Sequence, residues 1–368
     1  MPRPVRILLL AALAALALNA QGSAPGALMY VGTLSKNILV VDEAQEKVVD
    51  QIPLHTGTPN GLNLSYDRKK IYVTTWQDGI EVVDLASRKV TQYFSLGEGN
   101  RKVRLRGFAP DPQDRLLYAL ISPVVKQADR FDIEKPKFVV IDLAQGKVTK
   151  TIDYPKEEES PFGVFAGYRV SPDGKFLYVF RENVLIFDTA DFKLVEKIDL
   201  SKPLPLYPGM ATVNLGEGED PNDEPGMLTA FFNASDPVVH NRIFGIARVD
   251  LAKRTFDFTP VGPAAMGIAG LRLTPDRKTG YTVAFLGQHG NRRTEFWVFD
   301  MEKRKLVNRV EFPGRMSGFT LSANGQRIYL KSGPMVEIYD TATLKLRRVL
   351  NLNLDTTTGL LVLPQRPS

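Results

Sequence analysis

The chain has 368 residues, no cysteine and three histidines: His55, His240 and His289. Few side chains can therefore act as a nucleophile, a thiolate ligand or an acid–base group near neutral pH. Without cysteine there are no disulfides, no thiolate metal sites, no cysteine nucleophile and no c-type haem attached through a C-x-x-C-H run. Three histidines are too few for a His-rich metal centre. The sequence contains no G-x-S-x-G, no H-E-x-x-H, no G-x-x-x-x-G-K-[ST] and no compact carboxylate pair. Asp220-x-Asn222-x-Glu224 has the spacing of oxygen ligands in a calcium loop, but the remaining ligand positions are not in place, so a solvated acidic loop is expected. What the sequence does offer is cations. Arg101, Lys102, Arg104 and Arg106 form one cluster, and Gln288-His289-Gly290-Asn291-Arg292-Arg293 another. With Lys126, Arg130 and His240, these residues make a candidate surface for an anionic ligand or a partner's carboxylates. No catalytic, cofactor-binding or metal-binding residue is assigned. His55 and His240 are each expected to be hydrogen-bonded loop residues. Trp76 and Trp297 have no spacing that suggests base stacking.

The N-terminus reads as a secretory leader. Arg3 and Arg6 precede an apolar run, Ile7 to Leu18, and small or polar residues follow, with cleavage expected after Ala20. The run is too short for a comfortable membrane span, and without a cysteine it cannot become a lipoprotein anchor. The mature chain, with one domain over 28–364, is then periplasmic or extracellular, with no stable membrane span. Losing Arg3 and Arg6 lowers the net charge from +6 to +4, too little to argue for nucleic acid.

The elements that carry these residues follow from an internal repeat. Segments starting at Gly61, Gly167 and Gly318 share one order: an alternating strand, a turn, a strand with Tyr, a strand ending in Asp, a turn, and a fourth strand. Extended along the chain, the template gives seven units. Third-strand aspartates fall at Asp42, Asp84, Asp142, Asp188, Asp250, Asp300 and Asp340, and second-strand tyrosines at Tyr30, Tyr72, Tyr118, Tyr178, Tyr281 and Tyr329. In the fifth unit, 227–232 supplies the second strand without a Tyr. The expectation is all-β: a seven-bladed β-propeller of four-stranded antiparallel blades. Its C-terminal strand, 359–363, closes the ring by joining 28–33 in the N-terminal blade, which removes the exposed edges of a linear array. The repeated Gly, Tyr and Asp are read as structural, the aspartates binding backbone N–H groups of the following turn.

Function is expected where the repeat is broken. The loops between second and third strands lengthen in units three, five and six, at 122–136, 233–242 and 287–294. The connections 96–106, 154–166 and 201–208 share their face, and Arg106, just before Gly107, is placed near the mouth of the central channel. The opposite face has one elaboration, 216–226.

The second strands and the turn Asp340-Thr-Ala-Thr-Leu-Lys345 resemble bacterial YVTN-type propeller repeats. The segment 122–148, SPVVKQADRFDIEKPKFVVIDLAQGKV, resembles the long third-blade insertion of the propeller (beta) subunit of quinohemoprotein amine dehydrogenase. The extra length at 228–250 and the closing segment 337–350 also fit; the methylamine dehydrogenase heavy chain is a more distant likeness. The resemblance implies a periplasmic complex that oxidises primary amines. In it a small subunit carries a cysteine-derived quinone cofactor, another subunit carries c-type haem, and the propeller is a scaffold packed against these redox subunits. The chain itself would hold no cofactor, in keeping with its lack of cysteine. The other readings are a stand-alone YVTN-type interaction or surface protein and, behind it, a propeller lactonase.

Overall fold

The computed structural model describes residues 26–77, 79–158, 167–181, 183–202, 209–216, 220–236, 238–239, 241–287, 290–314 and 316–363. The expected leader, 1–20, lies outside them.

Seven antiparallel sheets form a ring. Blade 1 runs, from the axis outward, Leu361–Val362, Leu28–Gly32, Asn37–Asp42 and Lys47–Pro53. The others follow in chain order: blade 2 from Pro59–Leu64 to Lys89–Ser95, blade 3 from Arg101–Pro110 to Lys147–Asp153, blade 4 from Gly167–Val170 to Leu194–Asp199. Blade 5 runs from Ala211–Leu215 to Thr255–Pro263, blade 6 from the split strand Gly267–Ile268 and Arg272–Leu273 to Lys305–Phe312, and blade 7 from Gly318–Leu321 to Leu346–Asn351. Among the described residues no helix is long and apolar enough to cross a membrane.

Closure is as the repeat requires. Met29 pairs with Val362 and Tyr30 with Leu361. Beyond the strand, the Gly32 N–H donates to Thr358 Oγ1 at 2.8 Å and the Leu34 N–H to the Asp355 carbonyl at 3.0 Å.

The core lies between blades. Val, Ile, Leu and Tyr of the second and third strands are almost wholly buried, and all six repeat tyrosines are among them. The fourth strands alternate instead; Lys147–Asp153, with sequence KVTKTID, is nearly all exposed. Charged side chains on an outer strand are one way a sheet edge avoids pairing with another chain.

Each strand-ending aspartate builds its turn. Asp42 Oδ1 accepts the N–H of Ala44 and Gln45, both at 2.8 Å, and each of the other six accepts an N–H from the residue two or three positions on. Four residues after each Asp the chain enters the left-handed region: Glu46, Arg88, Gly146, Phe192, Arg254, Arg304 and Leu344, with φ between 50 and 62°. A register shift in the third–fourth strand pairing follows in six blades; in blade 5 the shift lies at the far end of the pair, between Phe244 and Gly245. Only one of these seven is glycine, although glycine alone adopts this conformation without strain.

The reason is contact with the preceding blade. Arg88 pairs with Asp50 at 3.4 Å, Arg254 with Glu196 at 3.3 Å and Glu46 with Arg348 at 3.1 Å, while Arg304 pairs with Asp257 and donates to Thr259 Oγ1 at 2.7 Å. Phe192 is buried against Phe138, and Lys150 Nζ lies 5.5 Å from its ring centre. Leu344 is buried in a cluster with Phe312 and Val310. At Gly146 a Cβ would come within 3.1 Å of the Gln92 side chain of blade 2. In six of the seven blades one strained position thus carries a staple to its neighbour.

Candidate partner-docking face

Antiparallel order puts the hairpins between second and third strands, and the blade-to-blade connections, at one end of the ring. The turns between first and second and between third and fourth strands are at the other. These are called the hairpin end and the turn end.

Three blades are taller at the hairpin end. Their second strands are Leu116–Lys126, Met227–Ser235 and Thr279–Leu286, against Lys70–Thr75 in blade 2. The expected long loops are therefore partly strand. Residues 233–235 and 242 of the second, and 293–294 of the third, belong to strands. Within 122–136 the chain continues as strand to Lys126, turns, and adds a short strand, Phe131–Ile133, beside it. The expected connection 96–106 is likewise shorter, because Arg101 already pairs with Val125. The apolar run Pro123-Val124-Val125 keeps the ladder going where proline and the charges after it suggest a loop.

Six of the expected site residues share this blade 3 arm: Arg101, Lys102, Arg104, Arg106, Lys126 and Arg130. Lys102, Arg104 and Lys126 are exposed. Arg101 is tied to Glu134 at 3.3 Å, and Arg130 to Asp132 and Asp129 at 2.9 and 3.3 Å. Arg106 sits at a register shift and donates to Ser122 Oγ at 3.0 Å; burial, reinforced by the Arg104 charge, lowers its pKa. Arg292 and Arg293 are on blade 6, not on this arm; Arg293 Nε donates to Glu295 at 3.1 Å. His240 and His289 lie outside the described residues. His55 is hydrogen-bonded, as expected. The wholly buried Glu81 carboxylate accepts the N–H of His55 and Thr56 at 2.7 and 2.6 Å and the Thr56 hydroxyl at 2.8 Å, while the His55 ring stacks on Tyr93.

Sequence reasoning missed the distribution of exposed large apolar side chains. Sixteen are exposed among the described residues. Eight lie singly or in pairs along fourth strands, as expected of an outer rim. Of the remainder, only Tyr66 is at the turn end. Leu34, Trp76, Phe131, Ile133, Val238, Val239 and Met266 are all at the hairpin end, with Trp76 69%, Ile133 75% and Val238 80% exposed. A hairpin tip gives a side chain no core to pack on, and apolar residues gathered at one end mark an interaction surface.

The turn end uses its polar groups internally. Asp114 of blade 3 accepts the N–H of Tyr66 and Asp67 at 2.8 and 2.9 Å and the Tyr72 hydroxyl at 3.0 Å, all from blade 2. The expected solvated acidic loop is corrected here. Asp220 is buried and accepts the N–H of Asn222 at 2.7 Å and of Leu273, in blade 6, at 2.9 Å. Asp223 accepts the Thr229 N–H at 2.5 Å and its hydroxyl at 2.9 Å. Burial pushes the Asp220 carboxyl up to about 6, against the pull of the Arg272 charge. Both aspartates satisfy backbone that would otherwise be buried unpaired. Beside them is a cavity of about 170 Å³ lined by Phe108, Tyr168, Arg169, Asp223 and Glu224 among others.

No family model matches the chain, and no curated protein does. It is similar to solved structures. Dihydro-heme d1 dehydrogenase NirN in complex with DHE is 14% identical, with a TM-score of 0.52 over 93% of this chain and 76% of that one. Kuenenia stuttgartiensis hydrazine synthase is 15% identical, with a TM-score of 0.48 over 87% and 90%. The first of these likenesses is one of fold.

Proposed function

We propose that the protein is an exported, non-catalytic propeller scaffold that docks protein partners on its hairpin end, in the manner of the propeller subunit of a periplasmic amine dehydrogenase complex. The quinone and c-type haem of such a complex would belong to the partner subunits. One observation carries the reading: the apolar side chains that neither core nor outer rim accounts for gather at the end that bears the cationic blade 3 arm. Likeness to NirN lends the proposal a ring of blades and no chemistry. The repeat segments favour a second reading, a stand-alone YVTN-type surface protein, and neighbouring genes for a dihaem protein and a small Cys/Trp-rich polypeptide would separate the two.

Lysine cross-linking in intact cells expressing the full chain tests the docking face. Cross-links to other proteins are expected at Lys36, Lys102 and Lys126, at the hairpin end, and not at Lys69, Lys175 and Lys278, at the turn end. Cross-links concentrated on the second set would refute the reading.

A further inference from the structure

Among the described residues, blade 3 ends in an unpaired strand edge. Phe131–Ile133 pairs with 124–126 on one side, and among the described residues no strand lies along its other side. Its hydrogen-bond phase is fixed by its flanks: the Gln127 N–H donates to the Arg130 carbonyl at 2.8 Å and the Glu134 N–H to the Pro123 carbonyl at 2.9 Å. Antiparallel bonding alternates, so Asp132 faces Val125, and the N–H and C=O groups of Phe131 and Ile133 point to the outer edge. These two residues are also 64% and 75% exposed. Cross-strand partners share a face, and Ile133 stands opposite Val124, which stands opposite Lys102; Phe131 stands opposite Lys126. Lys102, Lys126 and Arg104 therefore project from the face that bears Phe131 and Ile133. The reverse face carries Val103, which is fully buried against blade 2. Natural edges are usually blunted by inward charges, proline or bulges; here the outward-facing positions are apolar.

We propose that this edge receives an extended, acidic segment of a partner protein as an added strand. The segment would place apolar side chains beside Phe131 and Ile133, with carboxylates flanking them on the same face. Main-chain bonds to residues 131 and 133 would supply affinity, and the side chains register. An acidic segment is chosen because the exposed charged side chains that the paired strands present on that face are cationic: Lys126 one strand in from the edge strand, and Lys102 and Arg104 two strands in. The proposal rests on the docking reading. Failure of the peptide below, with partner cross-links still concentrated at the hairpin end, would overturn the edge alone.

The probe is the peptide Ac-Glu-Ser-Glu-Ser-Val-Ser-Val-Ser-Glu-Ser-Glu-NH2, titrated by calorimetry into the full protein, with a control in which every Glu is Lys. The Glu peptide is expected to bind and to slow hydrogen exchange at the Ile133 amide; the Lys peptide is not. Ile133→Pro removes an outward N–H that the fold does not use, and edge strands tolerate proline there. It should weaken binding about tenfold or more, a loss of about 1.4 kcal/mol, while the Asp132 amide stays protected. Should Ile133→Pro expose the Asp132 amide, Lys102→Glu with Arg104→Glu replaces it and is expected to weaken binding by a similar factor. No binding at millimolar peptide, equal binding of both peptides, or unchanged binding by Ile133→Pro with an intact arm would overturn the proposal. So would concentration-dependent dimerisation abolished by Ile133→Pro, which would put a second copy on this edge.

Discussion

The left-handed residue four positions after each strand-ending aspartate should behave oppositely in different blades. At Arg88 the side chain forms one ion pair with Asp50, both partners about 40% exposed. Such pairs contribute about 0–1 kcal/mol. Holding a non-glycine residue in this region costs roughly 1 kcal/mol. Arg88→Gly should therefore leave stability unchanged or raise it by up to about 1 kcal/mol. At Phe192 the balance reverses. Removing a buried aromatic ring costs about 3–5 kcal/mol, and relief of backbone strain returns roughly 1 kcal/mol. Phe192→Gly should destabilise by about 2–4 kcal/mol. Gly146→Ala completes the series: it imposes the strain and brings a methyl to 3.1 Å from Gln92, so a loss of about 1 kcal/mol is expected. Urea unfolding of the three variants, with unchanged slopes, measures these differences. If Arg88→Gly costs about as much as Phe192→Gly, the staple argument is wrong, and the left-handed residues matter for their backbone alone.

Deleting 358–368 removes the inner strand of blade 1 and with it Leu360 and Val362, both buried. At about 1.5–3 kcal/mol per side chain, the loss should be about 5 kcal/mol, and an unchanged melting temperature would reject closure as a source of stability. Asp220 gives a pH dependence. Its folded pKa, raised to about 6 from 3.8, means that the folded state holds its proton more tightly. This contribution to stability is fully present below about pH 4 and is lost as pH rises through 6. A shift of two units is worth at most about 3 kcal/mol, so urea midpoints of Asp220→Asn should fall less between pH 4 and 6 than those of the wild type; parallel profiles would refute the assignment. Glu81→Gln replaces a carboxylate oxygen with a donor facing N–H groups of 55 and 56, and should destabilise by about 1–3 kcal/mol. A neutral result in thermal unfolding would mean that the loop relaxes around the change.

Much of the ring was legible because its rules are local. An Asp that ends a strand and caps its own turn is visible within five residues of sequence, and so is the Tyr of a buried strand. Closure could be read because, in the repeat template, 28–33 is a second strand without a first and 359–363 a first strand without a second. What was not legible depends on neighbours about 50 residues away. Nothing near Arg88 or Phe192 in sequence announces a contact with the previous blade. Asp220 looked solvated because its loop is acidic; its partner, the Leu273 N–H, belongs to the next blade. The arm of blade 3 read as a loop because Pro123 normally ends a strand, yet its missing N–H falls where the outer row of the sheet breaks between Ile133 and Lys137.

The two ends of the ring differ in what their polar and apolar groups are committed to. At the turn end, seven aspartates cap their own turns, Asp114 and Asp220 bind the backbone of adjacent blades, and the left-handed residues reach back to the blade before. Substitution there is constrained by folding, which accounts for its composition without a ligand. At the hairpin end, folding needs only that the strands turn. Short hairpins suffice in blades 1, 2, 4 and 7, so the longer strands of blades 3, 5 and 6 are not required for closure. Added strand residues order backbone at a cost of about 1–2 kcal/mol each, and on the blade 3 arm they end in Phe131 and Ile133, which no core residue covers. At the arm's tip that cost gains no packing on the core, which favours the proposal that the working surface lies at the hairpin end.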